Sequence, residues 1–294
     1  MNRLDPQPPV RLMDATIRPK EKPMPLITIT HNFGSNGSAV ARKLADELGC
    51  ELFDDRKLNE LIQEKGLSAE EISRMDEKSP GYWDVFFKNR PQIFLNVLES
   101  VVYEVAHRGE GVIIGHGSQM LLRNFDCAFH VRILTLEGRR ADNLAAEQGI
   151  SREAALKLIR QRDKDQAGFF KFAFQLDMDD PGLYDLIINT HKLDTETAAS
   201  LIAGAVRSEN IRACGMNALE TMERLALEKK VRAALLENRI DDRNIVIEVG
   251  EDGVASVAGV SSTPEEKKRI ETVVCRVPGV SKVVSGMEVI KGAV

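Results

Sequence analysis

The sequence is short of aromatics, of cysteine and of any excess of positive charge, and each shortage removes a class of function. Phe, Tyr and Trp make up 5% of the 294 residues, with a single Trp, too few to build a stacking surface for single-stranded nucleic acid. Lys and Arg number 40 against 45 Asp and Glu, a formal charge of −5. The basic footprint of a general nucleic-acid binder is missing, and no nucleic-acid partner is expected. No uninterrupted apolar run approaches the ~18–20 residues that span a bilayer. Residues 1–24 also lack the apolar core of a signal peptide, so a cytoplasmic location is expected. Cys50, Cys127, Cys214 and Cys275 lie far apart with no C-x-x-C pair, fitting neither a zinc ribbon nor a disulfide framework. They are expected as buried thiols. The five histidines show no metal-ligand spacing, and no metal site is expected.

What is present divides the chain in two, as ~100–200 residues per domain would suggest. Residues 1–24 hold five prolines among charges and read as a flexible leader. Leu26–Thr30 is a short β-branched run, hence a buried strand. The turn Asn32–Gly37 follows, and then a helix with Val40, Leu44 and Leu48 on one face, stopped by Gly49. Further strands are expected at Glu51–Phe53, Val112–Ile114, Ala128–Leu134 and Leu186–Ile188. Amphipathic stretches lie at Ile93–Ala106, Leu136–Gln148, Ser151–Lys164 and Thr195–Val206. Such alternation predicts an α/β fold, a parallel sheet covered on both faces, whose ligands sit at the carboxyl ends of the strands. After residue 207 the pattern changes. Residues 208–222 read as a linker. A helix at Met222–Asn238, a hairpin through Gly250–Gly253, a helix at Pro264–Val277 and a strand at Ser281–Ile290 predict a small α+β domain over 223–294. Its 12 basic and 12 acidic residues leave it without electrostatic bias.

Two resemblances rest on particular residues. The runs Ile27–Gly37, Phe53–Arg56, Val112–Gly117, Leu136–Arg140, Arg162–Lys164 and Asp180–Thr190 resemble the cytidylate-kinase-like family of P-loop proteins across residues 25–207. The Gly253–Val260 hairpin and Val277–Val284 resemble a BON domain, a module linked elsewhere with phospholipid or small-ligand binding. The first resemblance implies a three-layer P-loop kinase-like sheet, a nucleoside-monophosphate kinase-like phosphotransferase activity, and ATP with Mg²⁺ as cofactors.

The same comparison exposes what has been lost. A phosphate loop works by converging glycine-opened amides on phosphate oxygens at a helix N-terminus, helped by cationic side chains. Here Gly34, Ser35, Asn36, Gly37 and Ser38 form the expected phosphate-binding loop, without a lysine. Where the family carries arginines, this chain reads His31, Ser38, His116, Asp142 and Gln166. Arginine grips phosphate with a charged planar fork, and none of the replacements does. Arg139, Arg162 and Lys164 remain as expected lid cations, and Arg162 and Lys164 are the candidates for a catalytic role. Asp55, Arg56, His31 and His116 are expected on the acceptor side. A solvated helix face laced by ion pairs is the simpler account of Arg162 and Lys164, and a helix N-terminus accounts equally well for Asp55.

Three functions stay open. The favoured one is a degenerate kinase-like protein, a pseudoenzyme that binds a nucleotide or another anionic small molecule and is coupled to the BON-like module. The second is an active kinase using ATP and Mg²⁺. The third is a non-catalytic scaffold, with a protein or lipid partner on the BON-like domain or self-assembly as a homo-oligomer.

Overall fold

A computed structural model describes residues 25–72, 90–211 and 213–290; the leader expected over 1–24 lies outside them. The first unit is a five-stranded parallel sheet. Its strands are β1 (Leu26–His31), β2 (Leu52–Phe53), β3 (Gly111–Ile114), β4 (Ala128–Leu134) and β5 (Leu186–Asn189), in the order β2-β3-β1-β4-β5. β1 lies at the centre, in register with β3 (Ile27 opposite Val112) and β4 (His31 opposite Ile133). Parallel strands buried on both faces favour apolar residues at odd and even positions alike; β1 supplies Ile27 and Ile29 on one face and Leu26 on the other, beside buried Thr28 and Thr30. Ile27 and Ile29 join Val112, Val131 and Ile133 under helices α1 (Gly37–Leu48) and α7 (Thr195–Val206). On the other face Leu26, Phe53 and Ile113 pack under α2 (Asp55–Glu64) and α3 (Arg90–Ala106). The short α4 (Ser118–Leu121), then α5 (Glu137–Gln148) and α6 (Arg152–Phe174) complete the unit. This is the three-layer α/β sheet expected from the sequence.

α6 runs ten residues beyond the helix expected to end at Lys164. Nothing between Asp163 and Ala167 breaks a helix, and Phe169, Phe170 and Phe174 restore an apolar face. Arg162 and Lys164 thus lie inside one continuous helix.

The second unit is a three-stranded mixed sheet. β6 (Ile245–Val249) runs antiparallel to β7 (Val254–Ser261), which runs parallel to β8 (Lys282–Val289). α9 (Pro264–Cys275) covers one face, started by Thr263, whose hydroxyl accepts from the Glu266 amide. This is the small α+β domain the sequence indicates.

The helix between the units, α8 (Met216–Glu237), begins six residues before the helix expected at Met222 and takes in much of the stretch read as linker. Met222, Ala226, Ala233 and Leu236 pack with α3 in the first core. Leu227, Val231 and Leu235 pack with β6, β7 and α9 in the core of the second unit. At ~100° per residue the two sets point in roughly opposite directions, so one helix belongs to two cores. Lys229 and Lys230 add ion pairs to Glu99 and Glu104 of α3.

None of the four cysteines is the buried thiol expected. Cys127, just before β4, is bonded to Cys214, just before α8, with Cα atoms 4.8 Å apart; Cys275 is an exposed thiol and Cys50 a half-buried one. Eighty-seven residues separate the bonded pair in sequence, and it is the docking of α8 on α3 that brings them together. Among the described residues no helix is long and apolar enough to cross a membrane, and no group of His, Cys, Asp and Glu is placed to hold a metal ion.

Candidate functional site

The turn after β1 folds as a phosphate-type loop. Gly34 has φ 81°, and Asn36, at φ 61°, is the left-handed residue preceding α1. Asn tolerates this conformation better than other side chains, so the glycine lost at 36 does not cost the loop its shape. The Ser35 amide donates to the Asn32 carbonyl at 3.1 Å. Beyond it, the first amides of α1 are directed away from the helix body, as at any helix N-terminus.

His31 alters what this loop can hold. Its Nδ1 lies 3.0 Å from the Asn32 carbonyl and 3.3 Å from Ser35 Oγ, and its Nε2 lies 3.5 Å from Ser38 Oγ. A β-carbon at Gly37 would overlap the imidazole. In the spacing G-x-x-x-x-G-K, counted from His31, position 37 is where the lysine stands. The ring therefore occupies the space a lysine stem would leave through. Burial pushes the His31 pKa below its usual value, against smaller opposing effects of the Asn32 carbonyl and Asp55. The imidazole is neutral at pH 7 and supplies no cation.

Behind the loop, at the carboxyl ends of β1, β2 and β3, is a cavity of about 580 Å³. Asp55 and Asn59 enter it from α2, Phe94 from α3, the Gly115–Gly117 turn from β3, and Arg162, Asp165 and Gln166 from α6. All three turn residues are left-handed, His116 included at φ 53°. A β-carbon at Gly115 would stand 2.6 Å from Asp55 Oδ1, and one at Gly117 would overlap Phe174. His116 is almost fully buried, its Nε2 3.4 Å from Asp55 Oδ1 yet without a hydrogen-bond partner.

The remaining site residues divide. Arg162 lines the cavity with its guanidinium 5.9 Å from the Phe33 ring centroid, within cation–π range. Lys164 points to another surface, beside Glu153, Lys157 and Arg160. Arg56 is exposed and paired with Glu60 at 2.8 Å. Arg139 is exposed, while its neighbour Arg140 is buried. The face of α5 turned to the loop carries Arg140, donating to the Phe33 carbonyl at 3.2 Å, and Asn143, donating to the Gly34 carbonyl at 3.0 Å.

Two buried arginines not singled out in the sequence thus flank the loop. Arg140 is held by Asp163 in a two-pronged pair at 2.8 and 2.6 Å. Arg132, on β4 and 2% exposed, donates to Asp179 at 2.8 Å and reaches Asn32 Oδ1 at 3.5 Å. Both partners, Asp163 on α6 and Asp179 just beyond it, come from the lid side. The Arg140 fork is filled by the chain's own carboxylate, whereas Arg132 gives one prong to Asp179 and keeps its Nη1 buried without a hydrogen-bond partner among the described residues.

For ATP and Mg²⁺ the fit is partial. The amides at the start of α1 with the Ser35 and Ser38 hydroxyls suit phosphate oxygens, and Ser38 with Asp55 offers oxygens for a hard cation. Arg162 is the cation of the cavity wall among the described residues.

Residues 26–192 match the cytidylate kinase-like family and residues 225–291 match the BON domain. A cytidylate kinase of Methanothrix thermoacetophila is 27% identical over 184 residues, covering 62% of this chain and 98% of its own. One from Ignicoccus hospitalis is 29% identical over 180 residues, covering 61% of this chain and 97% of its own. The crystal structure of an uncharacterized protein from Eubacterium ventriosum shares the fold at a TM-score of 0.51 and 21% identity, covering 62% of this chain and 98% of that one. The chain belongs to the cytidylate kinase-like family and carries a BON domain after its kinase-like unit.

Proposed function

We propose that this protein binds a nucleotide at the phosphate loop without efficient phosphoryl transfer, and that the bound state is coupled to the BON domain. The observation that carries this reading is the His31 imidazole, standing where the family carries an arginine, neutral and lodged against Gly37 at the start of α1. Phosphoryl transfer depends on positioning and on charge stabilisation of the transferring group. The loop keeps the first and has lost most of the second. ATP with Mg²⁺ is the proposed ligand. The amides of α1, Ser35 and Ser38 hold its phosphates, and Arg162 approaches from α6.

Coupling runs through α8 and α3. Phe94 of α3 lines the cavity, and the same helix packs on α8, whose opposite stripe lies in the core of the second unit. The boundary between the two functional units is accordingly proposed to fall within α8, and the BON domain is proposed as the surface for a partner or ligand. A cytoplasmic location belongs to the same proposal. Reducing compartments keep structural disulfides rare, so the Cys127–Cys214 bond is then a redox-responsive one.

The test is a coupled phosphotransfer assay with ATP, Mg²⁺ and CMP, run beside a nucleotide-binding titration. Binding with turnover at background is expected. Turnover in the ordinary kinase range, roughly 1–100 per second, overturns the reading.

A further inference from the structure

Among the described residues, β2, β5, β6 and β8 stand at the edges of the two sheets, and β8 is built unlike the other three. β2 has 2 residues, β5 has 4 and β6 has 5, and shortness is one protection of an edge against pairing with another chain. β8 runs for 8 residues without a proline. Val284, Val289 and the following Ile290 are exposed along it. The Ile290 amide donates to the Ser261 carbonyl at 3.0 Å, so even-numbered residues of β8 turn their amides and carbonyls to β7 and odd-numbered ones turn theirs away. Met287 conforms, for its carbonyl accepts from Lys267 Nζ at 2.8 Å and its amide lies 3.5 Å from Ser285 Oγ. Val283, Ser285 and Met287 thus present an open edge. A carbonyl oxygen has two lone pairs, so Lys267 does not close it. Lys282 and Glu288 are exposed near the two ends of β8, with Ser285 midway between them. Neither has an ion pair among the described residues.

We propose that β8 pairs antiparallel with β8 of a second copy of this chain, about a twofold axis through Ser285. The two three-stranded sheets then join into one. In this register Ser285 faces its own counterpart and Val283 faces the partner's Met287, and these outward-turned pairs exchange N–H···O bonds. Lys282 stands opposite the partner's Glu288, and Glu288 opposite the partner's Lys282, in the closer, non-hydrogen-bonded positions where side chains meet. An axis through Val284 or Gly286 would keep the hydrogen bonds but set Lys282 against the partner's Gly286 or the partner's Ile290. Charge therefore selects the register. A contact that uses the same strand on both copies closes on itself, so the assembly stops at a dimer. One strand pair covers less than the ~1,200 Å² of a standard interface, so the association is weak.

Sedimentation equilibrium of the full-length protein tests the pairing, with the exposed Cys275 thiol alkylated so that no intermolecular disulfide contributes. A monomer–dimer equilibrium with a Kd of about 1–100 μM is expected. Lys282→Glu and Glu288→Lys each set like charges opposite one another at both ends, and each is expected to weaken the dimer by about tenfold. The two single variants mixed together have complementary ends again, and should associate within about threefold of wild type. Ser285→Pro removes an outward amide and no bond to β7, and is expected to abolish association. The charge variants lie on the surface, so their cycle decides the matter if the proline variant fails to fold. A monomer at every concentration up to about 1 mM overturns the proposal. So does a dimer that the single charge variants or a folded proline variant leave unchanged, or a mixture that stays as weak as its components.

Discussion

Removing the Cys127–Cys214 bond should destabilise the chain by an amount that its sequence separation sets. The bond closes a span of 87 residues. In the chain-entropy description, a loop of that length removes roughly 15 cal/mol/K from the unfolded ensemble, about 4.6 kcal/mol at 25 °C. Measured values fall short of this limit, so a loss of about 2–4 kcal/mol is the working expectation. At roughly 2–4 °C per kcal/mol for a unit of this size, the melting temperature of the double variant Cys127→Ser/Cys214→Ser should fall by about 10 °C. The assay is thermal unfolding of wild type and double variant, each with and without a dithiol reductant. Reductant should lower the wild type towards the variant and leave the variant unmoved. Alkylation under denaturing, non-reducing conditions should label Cys50 and Cys275, with the other two labelled only after reduction. Labelling of all four without reductant, or melting temperatures within about 2 °C of one another, would refute the reasoning.

Gly37→Lys alone should destabilise the protein by about 1–3 kcal/mol, because the new side chain overlaps the His31 ring. Paired with His31→Gly it should fold normally and bind ATP about tenfold or more tighter, as a charge-assisted hydrogen bond would supply; additive effects in the binding and melting cycle would count against the steric link. Leu235→Ala and Met222→Ala, each at a fully buried position on an opposite face of α8, should each cost about 2–5 kcal/mol. Chemical denaturation reads this out, and a cost confined to one variant would contradict a helix shared by two cores. Burial lowers the pKa of His31 and of His130, with Asp185 opposing the shift at His130. Both rings stay neutral in the fold, while the unfolded chain takes up protons below about pH 6.5. Their contribution is therefore intact above that pH and is lost as pH falls towards the folded pKa values. Stability should decline from pH 7 to pH 5, and His130→Gln should flatten the decline; an unchanged slope would remove His130 from the explanation.

Much of the first sheet was legible because its strands are short β-branched runs set off by glycine turns, and the period of α1 and α7 was plain. α8 was harder to read. Its apolar residues form two stripes on opposite sides, so no single polar face marks it as amphipathic, and its first turns passed for a linker. The glycine turn from Gly34 to Ser38, the proposed phosphate loop, could be located between β1 and α1. That the His31 ring stands against Gly37 is a fact of packing that the order of residues does not carry. Arg140 was one position from legible. Together with Leu144 it lies at i, i+4 on the buried face of α5, a spacing that selects it over Arg139. Arg132 carried its own signal, since a central strand of a parallel sheet is covered on both faces and an arginine there must be buried. Asn59 and Asp165 gave no sequence signal, for nothing local distinguishes them from solvated helix residues. The Cys127–Cys214 bond depends wholly on the docking of α8.

Calorimetric titration of the full-length protein with ATP and Mg²⁺ tests most directly whether the altered loop still holds a nucleotide. Saturable binding with a Kd tighter than about 1 mM, worth roughly 4 kcal/mol, is the expected result, weakened when Ser38→Ala removes a loop hydroxyl. No heat of binding up to millimolar ATP, with the protein shown to be folded, would contradict it and leave the kinase-like unit as a scaffold for the BON domain.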